Sequence, residues 1–166
     1  MTSSASTRSR TITWDPPPDL REFGPLTGLE VLRRQLERGY RTPIGTLMDF
    51  RGVRFDYGFA VLEGTPAEFH YNPMGVVHGG FAATLLDAAM GCAMHTTLDA
   101  GYAYTTLELK VNYVRAMTGK TGRVLCEGRI VHRGKRVATL EAKIQDEQQK
   151  LYAHATSTCM VLSLNE

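Results

Sequence analysis

Several features that mark particular classes of protein are scarce or missing in this chain of 166 residues. It has three cysteines, Cys92, Cys126 and Cys159, and their wide spacing contains no C-x-x-C and no metal-ligand pattern. An odd number of dispersed cysteines does not form a disulfide framework, so we expect a reducing, cytoplasmic compartment. No apolar run reaches the ~20 residues that cross a bilayer, so no membrane partner is expected.

An excess of charge of either sign is also missing. The 19 Lys and Arg residues nearly balance the 17 Asp and Glu residues, and the formal net charge of +2 is too small to indicate a nucleic-acid partner. A hydrophobic content of 43% with 22% charged residues is typical of one globular domain. There is no Gly-x-Ser-x-Gly turn, which excludes the usual nucleophile elbow of a Ser-His-Asp hydrolase.

What the chain does contain is an apolar segment from Phe81 to Met94 that carries one charge, Asp87. A helix that is apolar on all sides is normally buried, and an unpaired carboxylate there costs several kcal/mol unless it is compensated. The Val-Val-His-Gly-Gly segment over 76–80 stands just upstream, and glycines at a helix start let a ligand approach N–H groups at the positive end of the helix dipole. The pattern predicts a buried helix over about 79–97, with an oxyanion-type site at its head and a carboxylate two turns in. The alternative is that Asp87 is a structural acid paired with a Lys or Arg.

The chain divides into three parts. Residues 1–25 are predicted to form a disordered or extended N-terminal tail, and 26–44 an N-terminal helix and a connection. The main domain is predicted over 45–163. It begins with short strands between 44 and 71 and continues through a turn at Asn72-Pro-Met-Gly75.

The N-terminal helix has a clear start signal. Thr27 and Glu30 match a capping box, with Thr27 as the N-cap and Glu30 three residues later. The apolar spacing continues to about Tyr40, where Thr42-Pro43 is predicted to stop the helix.

After the central helix the chain alternates between apolar and polar residues. Over 105–113, Thr105, Leu107 and Leu109 are predicted to share one face of a strand, with Thr106 on the other face. Further strands are predicted between the turn signals at 118–122 and 132–135, over 137–145 and over about 151–162, which gives a four-strand meander. The order predicts an α+β fold in which a curled antiparallel sheet wraps around one long central helix.

One motif resembles a known family. Asn72-x-x-Gly75-x-x-His78-Gly79-Gly80, with Asp87 eight residues beyond Gly79, resembles the PaaI-like subfamily of hot-dog fold acyl-CoA thioesterases. The resemblance covers roughly residues 45–163. It implies the hot-dog fold and hydrolysis of an acyl-CoA to free acid and coenzyme A. No metal or separate cofactor is implied, because coenzyme A is part of the substrate.

The resemblance also implies roles for individual residues. Gly79 would present the backbone N–H that polarises the thioester carbonyl, helped by the side chain of Asn72, and His78 would shape that loop. Asp87 would activate water or attack the carbonyl directly, and Thr106 would help to hold the water. Related proteins form homodimers in which Asp87 of one chain faces Gly79 and Asn72 of the other, so the active site would lie at the interface. Whether two such dimers assemble into a tetramer is left open by the sequence.

Simpler interpretations exist for three of these residues. His78 is at least as well explained as a structural histidine that bonds the backbone. Asn72 is a common turn residue before a proline. Thr106 is the weakest of the site predictions, because an outward-facing Thr is ordinary on a strand.

A basic cluster stands at a predicted hairpin. Arg133, Lys135 and Arg136 surround Gly134, and Arg115 ends an earlier strand. Coenzyme A carries three phosphates, related proteins bind it near these strand ends, and Arg is suited to bidentate phosphate contacts. We therefore predict these residues as the coenzyme A binding set, against the plainer interpretation of a solvated turn.

The substrate and two rival functions remain open from sequence. Tyr71, Met74, Phe81 and the apolar helix favour an apolar acyl group, either medium-chain or aryl. One rival function is a hot-dog hydratase or dehydratase, and the other is a non-catalytic protein that binds acyl-CoA. The basic cluster favours a coenzyme A thioester over a carrier-protein thioester.

Overall fold

The computed structural model describes residues 6–19 and 23–164, and within them the chain forms three α-helices and six β-strands. The helices are α1 (Gly28–Glu37), α2 (Pro43–Met48) and α3 (Gly79–His95). A short 3-10 turn over Glu68–His70 lies ahead of α3. The strands are β1 (Phe50–Asp56), β2 (Phe59–Gly64), β3 (Tyr102–Tyr113), β4 (Val124–Arg133), β5 (Val137–Asp146) and β6 (Leu151–Ser163).

The strands form one antiparallel sheet in the order β1-β2-β4-β5-β6-β3. Helix α3 contacts every strand of this sheet, so the sheet curls around the helix and the core lies between them. The alternating apolar residues of β5, from Ala138 to Ile144, all face this core. The predicted α+β hot-dog fold is confirmed.

The predicted four-strand meander is wrong for one strand. Strands β4, β5 and β6 follow each other in the sheet, but β3 pairs with β6 and not with β4. Strand β3 therefore forms one edge of the sheet, opposite the β1 edge. The alternation of apolar residues indicates which face of a strand is buried, but it carries no information about which neighbour that strand pairs with.

The predicted faces of β3 also need correction, because a β-bulge interrupts the strand. Thr106 pairs with Cys159, whereas Glu108 pairs with Thr158, so Leu107 is the extra residue. A bulge reverses the inward and outward alternation on its two sides. As a result Thr106 lies on the inner side with Leu109, and Leu107 is exposed.

Helix α3 ends at His95, two residues before the predicted end, and its burial is uneven. Gly128 of β4 lies directly under it, and a Cβ on this glycine would stand only 2.5 Å from the Ala89 backbone. A stripe on the other side, which includes Thr84, Asp87 and Cys92, is half-buried. In the described ranges no helix is long and apolar enough to cross a membrane.

The N-terminal helices show one confirmed signal and one wrong prediction. The capping box of Thr27 and Glu30 is present at the start of α1. However, α1 ends at Glu37 and not near Tyr40, and Pro43 is the first residue of α2 and not a terminator. Proline suits the first helical position because the N–H that it lacks has no partner there.

The predicted tail over 1–25 lies partly outside the described residues, since 1–5 and 20–22 are not described. Residues 6–19 form neither helix nor strand and run along the folded domain. Arg8 forms an ion pair of 2.9 Å with Glu68. The Arg10 guanidinium donates to the carbonyl oxygens of Thr46 and Leu47 at 3.2 Å.

Candidate active site

The head of α3 presents a free backbone donor. His78 is the N-cap, and its Nδ1 accepts a hydrogen bond of 2.9 Å from the Gly80 N–H. Its carbonyl oxygen accepts from the Phe81 N–H at 3.0 Å. Within the described part of the chain the Gly79 N–H has no acceptor, so it is available to an oxyanion at the positive end of the helix dipole. His78 thus shapes the loop through hydrogen bonds to the backbone.

Asn72 organises the turn that leads to this helix. Its Oδ1 accepts from the N–H groups of Met74 at 2.9 Å and Val76 at 3.4 Å. Its carbonyl oxygen accepts from the Gly75 N–H at 3.0 Å, and Gly75 adopts a φ of 76° that favours glycine. The turn uses the amide oxygen of Asn72, which leaves the amide nitrogen as the donor it can offer to a ligand.

Tyr113 is a residue of this region that the sequence reasoning missed as a site residue. A Cβ placed on Gly79 would lie 3.1 Å from the Tyr113 ring and 3.3 Å from its hydroxyl oxygen. The ring therefore stands against the Gly79 backbone while remaining 59% exposed. A large aromatic at the end of an edge strand, which can reach a neighbouring helix start, was the available signal.

Asp87 and Thr106 are brought together by α3 and β3. The Thr106 Oγ1 donates a hydrogen bond of 3.1 Å to Asp87 Oδ1. Asp87 is half-buried, and it forms no ion pair with any Lys or Arg among residues 6–19 and 23–164. The carboxylate is therefore held by a hydroxyl and its charge is not used for structural pairing. This geometry weighs against the interpretation of Asp87 as a structural ion-pair partner.

The neighbours of Asp87 are groups that stay neutral. Burial raises the pKa of the Cys92 thiol to about 12, and the charge of Asp87 adds to this effect. Burial also raises the pKa of Tyr104, with smaller effects from Cys92, Cys159 and Asp87. Cys159 Sγ lies 3.9 Å from Thr106 Oγ1, and burial raises the pKa of that thiol too. These thiols and the phenol therefore supply no thiolate or phenolate beside Asp87.

Gly79 and Asp87 do not meet within one chain. They lie eight residues apart on the same helix, which places them about 12 Å apart along its axis at 1.5 Å per residue. A single thioester carbonyl cannot contact both at this separation. One chain therefore holds the two halves of the predicted site without joining them.

The predicted coenzyme A residues lie at opposite ends of α3. The hairpin with Arg133, Gly134, Lys135 and Arg136 is tied to the C-terminal end, where Arg133 Nε donates to Thr97 Oγ1 at 3.2 Å. A cavity of about 500 Å³ opens beside this hairpin. It is lined by Tyr57, Thr97, Leu98, Asp99, Tyr102, Arg133, Gly134, Lys135 and Val161.

Arg115 lies at the other end of the helix. It stands two residues beyond Tyr113, whose ring contacts the Gly79 backbone. At 17 residues, α3 is about 25 Å long, so one chain does not bring Arg115 close to the hairpin.

Comparison with known proteins gives consistent matches. Residues 74–153 match the family model described as thioesterase superfamily. The medium/long-chain acyl-CoA thioesterase YigI of Salmonella typhimurium is 26% identical over 142 residues, which cover 74% of this chain and 87% of that protein. Gly79, Asp87, Thr106 and the basic hairpin lie inside the matched segment, whereas Asn72 lies just before it.

Two solved structures are similar in fold. The conserved protein PA5202 from Pseudomonas aeruginosa is 31% identical with a TM-score of 0.68, and the match covers 74% of this chain and 95% of that chain. The Escherichia coli PaaI protein from the phenylacetic acid degradation operon is 19% identical with a TM-score of 0.71. That match covers 82% of this chain and 97% of PaaI, and it supports the fold alone.

Proposed function

The chain belongs to the thioesterase superfamily, and from that premise we propose that this thioester hydrolase cleaves an apolar acyl-CoA, medium-chain or aryl, to a free acid and coenzyme A. The observation that carries the proposal is the hydrogen bond from Thr106 of β3 to Asp87, which lies on the same helix whose head offers the free Gly79 N–H. The acyl-CoA specificity of the similar enzyme YigI supports the substrate class.

The proposed role of Gly79 follows from the charge that develops during the reaction. Attack on a thioester places negative charge on the carbonyl oxygen, and a fixed N–H aimed at that oxygen lowers the barrier. Loss of one such donor typically costs about 10²–10³ in rate. The amide nitrogen of Asn72 is proposed as a second donor, since its oxygen is already used in the turn.

The proposed role of Asp87 has two forms. As a base, it takes a proton from water while the water oxygen bonds to the carbonyl carbon. The C–S bond then breaks, and the proton passes to the coenzyme A sulfur. As a nucleophile, its oxygen bonds to the carbonyl carbon and the thiolate leaves, and water then hydrolyses the resulting anhydride. In both forms the Thr106 hydroxyl orients the carboxylate.

The proposed active site requires two chains. Because Gly79 and Asp87 are about 12 Å apart on one helix, we place Asp87 of one chain opposite Gly79 and Asn72 of a second copy. Strand β3 forms an edge of the sheet and exposes Leu107 and Tyr113, with 53% and 59% of their surface accessible. This apolar edge is the surface that we propose for a side-by-side homodimer, and a homotetramer would add a second interface.

The proposed coenzyme A site combines the C-terminal end of α3 from one chain with the N-terminal end of α3 from the other chain. In an antiparallel pair of chains, the 133–136 hairpin of one chain lies at the same end as Arg115 of the other. The cavity beside the hairpin offers Arg133 and Lys135 for phosphate and two tyrosines for the base. This arrangement supports coenzyme A over a carrier protein as the thiol component.

The test is the release of free thiol from a panel of acyl-CoAs by the wild type and by Asp87→Asn. We expect the variant to lose about 10²–10⁴-fold in kcat, because it lacks the base or nucleophile. The matched control is Asp56→Asn, which breaks only exposed ion pairs with Arg33 and Arg54 and is expected to keep full activity.

Size-exclusion chromatography of each variant shows whether the fold and the assembly are kept. Absence of thiol release by the wild type on every substrate contradicts the proposed hydrolysis. Equal activity of Asp87→Asn and wild type would support the proposed hydrolysis but would show that Asp87 takes no part in its mechanism.

A further inference from the structure

Two largely apolar cavities lie beneath α1, against the first residues of β3. The outer cavity has a volume of about 490 Å³ and the inner one about 240 Å³. Leu32 and Gln35 of α1, Cys92 of α3 and Tyr104 of β3 line both. The two cavities therefore meet at these four side chains, which form a constriction between them.

The inner cavity lies beside the elements that hold Asp87 and Thr106, although neither of these two residues lines it. Ala88 lines it and is the residue after Asp87 on α3. Tyr104 lines it as well and lies two residues before Thr106 on the same inner face of β3, ahead of the bulge. The helix and the strand that hold Asp87 and Thr106 thus continue directly into the cavity walls.

The walls suit an apolar ligand. Phe50, Phe55 and Leu62 form the floor of the inner cavity. The cationic side chains on its border form ion pairs, Arg41 through its Nη2 with Asp49 at 3.1 Å and Arg51 with Glu63 at 2.6 Å, while the buried Nε of Arg41 has no hydrogen-bond partner among the described residues.

The constriction contains no charged side chain, and Gln35 is its one amide. Cys92 and Tyr104 are neutral there, since burial raises the pKa of both groups.

The roof of the cavities is fixed to the domain. The Gly28 N–H at the start of α1 donates to the Leu98 carbonyl oxygen at 2.9 Å. The contact is so close that a Cβ on Gly28 would overlap the His95 backbone oxygen. Helix α1 therefore holds its position against the end of α3, and the space beneath it is a defined pocket.

We propose that the cavities beneath α1 hold the acyl chain of the substrate, and that the constriction at Leu32 and Cys92 sets the preferred chain length. This inference rests on the proposed function. It selects a straight acyl chain over an aryl group, because two cavities in series joined at a constriction fit a flexible chain better than a compact ring. Residues 26–44 then act as part of the substrate pocket.

The experiment compares kcat/KM on acyl-CoAs from two to sixteen carbons for the wild type and three variants. Cys92→Phe blocks the constriction, so we expect its optimum to shift to shorter chains. The expected loss is roughly fourfold per excluded methylene, with the shortest substrates unaffected. Leu32→Ala widens the constriction and is expected to shift the optimum to longer chains.

The matched control is Leu29→Ala, which makes the same change on α1 at a side chain that packs on the core but lines neither cavity. Its chain-length profile is expected to follow the wild type. Identical profiles for all four proteins, or a wild-type preference for aryl-CoA over every straight chain, would overturn the proposal. Leu32→Ala keeps it testable if Cys92→Phe does not fold.

A binding measurement separates this proposal from the proposed hydrolysis. Calorimetric titration of Asp87→Asn with the same acyl-CoAs reports chain binding without turnover, and Cys92→Phe in that background is expected to weaken binding of the long chains alone. If the wild type releases no thiol but this length dependence appears, the hydrolysis fails and the acyl pocket stands. If hydrolysis occurs and binding is independent of length in both proteins, the pocket is wrong.

Discussion

At the residue scale, one hydroxyl group connects β3 to α3 at the candidate active site. Thr106 donates to Asp87 at 3.1 Å, and it faces the helix because it lies just before the β-bulge of β3. A hydrogen bond to a charged group contributes about 1.5–3 kcal/mol, and it keeps the carboxylate in one orientation.

We predict that Thr106→Val lowers kcat by roughly 10- to 100-fold, because the carboxylate loses its orienting donor. Thr106→Ser retains the hydroxyl and is expected to recover most of the activity. Steady-state thiol release measures both variants. A Thr106→Val enzyme with wild-type kcat would show that the hydroxyl does not orient Asp87 during the reaction.

A second residue-scale feature is the buried histidine behind the site. His70 contacts the rings of Phe69 and Phe81 in tilted orientations, with ring centroids 4.2 and 4.6 Å away. Burial lowers its pKa, the positive charge of Arg10 adds to this effect, and Asp49 opposes it. Its Nδ1 accepts a hydrogen bond from the Ala67 N–H at 3.1 Å, which requires the neutral ring at that nitrogen.

This burial predicts a loss of stability in mild acid. In the unfolded chain His70 titrates near pH 6.5, above its pKa in the folded state, so protons favour unfolding. The free energy of unfolding is therefore highest above about pH 6.5 and falls as the pH drops below that value toward the folded pKa. Urea unfolding from pH 7.5 to 5.5 measures it.

The comparison for this prediction is His70→Gln, which cannot titrate. Burial lowers the pKa of His95 as well, so some acid sensitivity is expected to remain in the variant. The slope of unfolding free energy against pH is expected to be smaller in His70→Gln than in the wild type. Equal slopes would show that protonation of His70 is not coupled to folding.

At the scale of elements, α3 approaches β4 so closely that no side chain fits between them. A Cβ on Gly128 would lie 2.5 Å from the carbonyl of Ala89 and 2.8 Å from the Met90 nitrogen. Both are backbone atoms of a helix that is held against the whole sheet, so they cannot move aside singly. This contact sets the distance between α3 and the sheet, and with it the position of Asp87 relative to Thr106.

We therefore predict that Gly128→Ala lowers the free energy of unfolding by about 1–3 kcal/mol or more through overpacking. It should also lower activity, since α3 has to shift. The control is Gly119→Ala, where the added Cβ meets nothing closer than 3.5 Å and is expected to have little effect. Chemical denaturation measures both, and equal stabilities would contradict the proposed close contact.

At the scale of the whole molecule, each of the two edge strands of the sheet contains a β-bulge. Leu107 is the bulged residue of β3 and Val53 the bulged residue of β1, and both side chains are exposed, at 53% and 41%. The proposed dimer uses only the β3 edge. The two positions therefore give a test and a control of the same kind.

We predict that Leu107→Lys weakens the dimer and that specific activity then falls on dilution in step with dissociation. Val53→Lys places the same charge on the opposite edge and is expected to leave both properties unchanged. Analytical ultracentrifugation and activity measured over a range of protein concentrations check this. A monomer of Leu107→Lys with full activity would show that one chain contains a complete site.

The local features of this protein were readable from its sequence. The capping box at Thr27, the turn at Asn72 and the His78 cap of α3 all depend on side chains that bond backbone groups two to four residues away. The apolar period of α3 and the alternation in β5 depend on spacing alone. For the same reason the sequence brought Gly79 and Asp87 onto one helix, at the head and two turns in.

The tertiary structure alone decided which distant segments meet. The pairing of β3 with β6, the bulge that turns Thr106 toward Asp87, and the pocket beneath α1 each join segments that are far apart in sequence. These contacts are selected by the packing of the whole core against competing arrangements, and no short-range pattern encodes that competition. The sequence determined the local elements and the residue types of the site, and the fold decided their contacts.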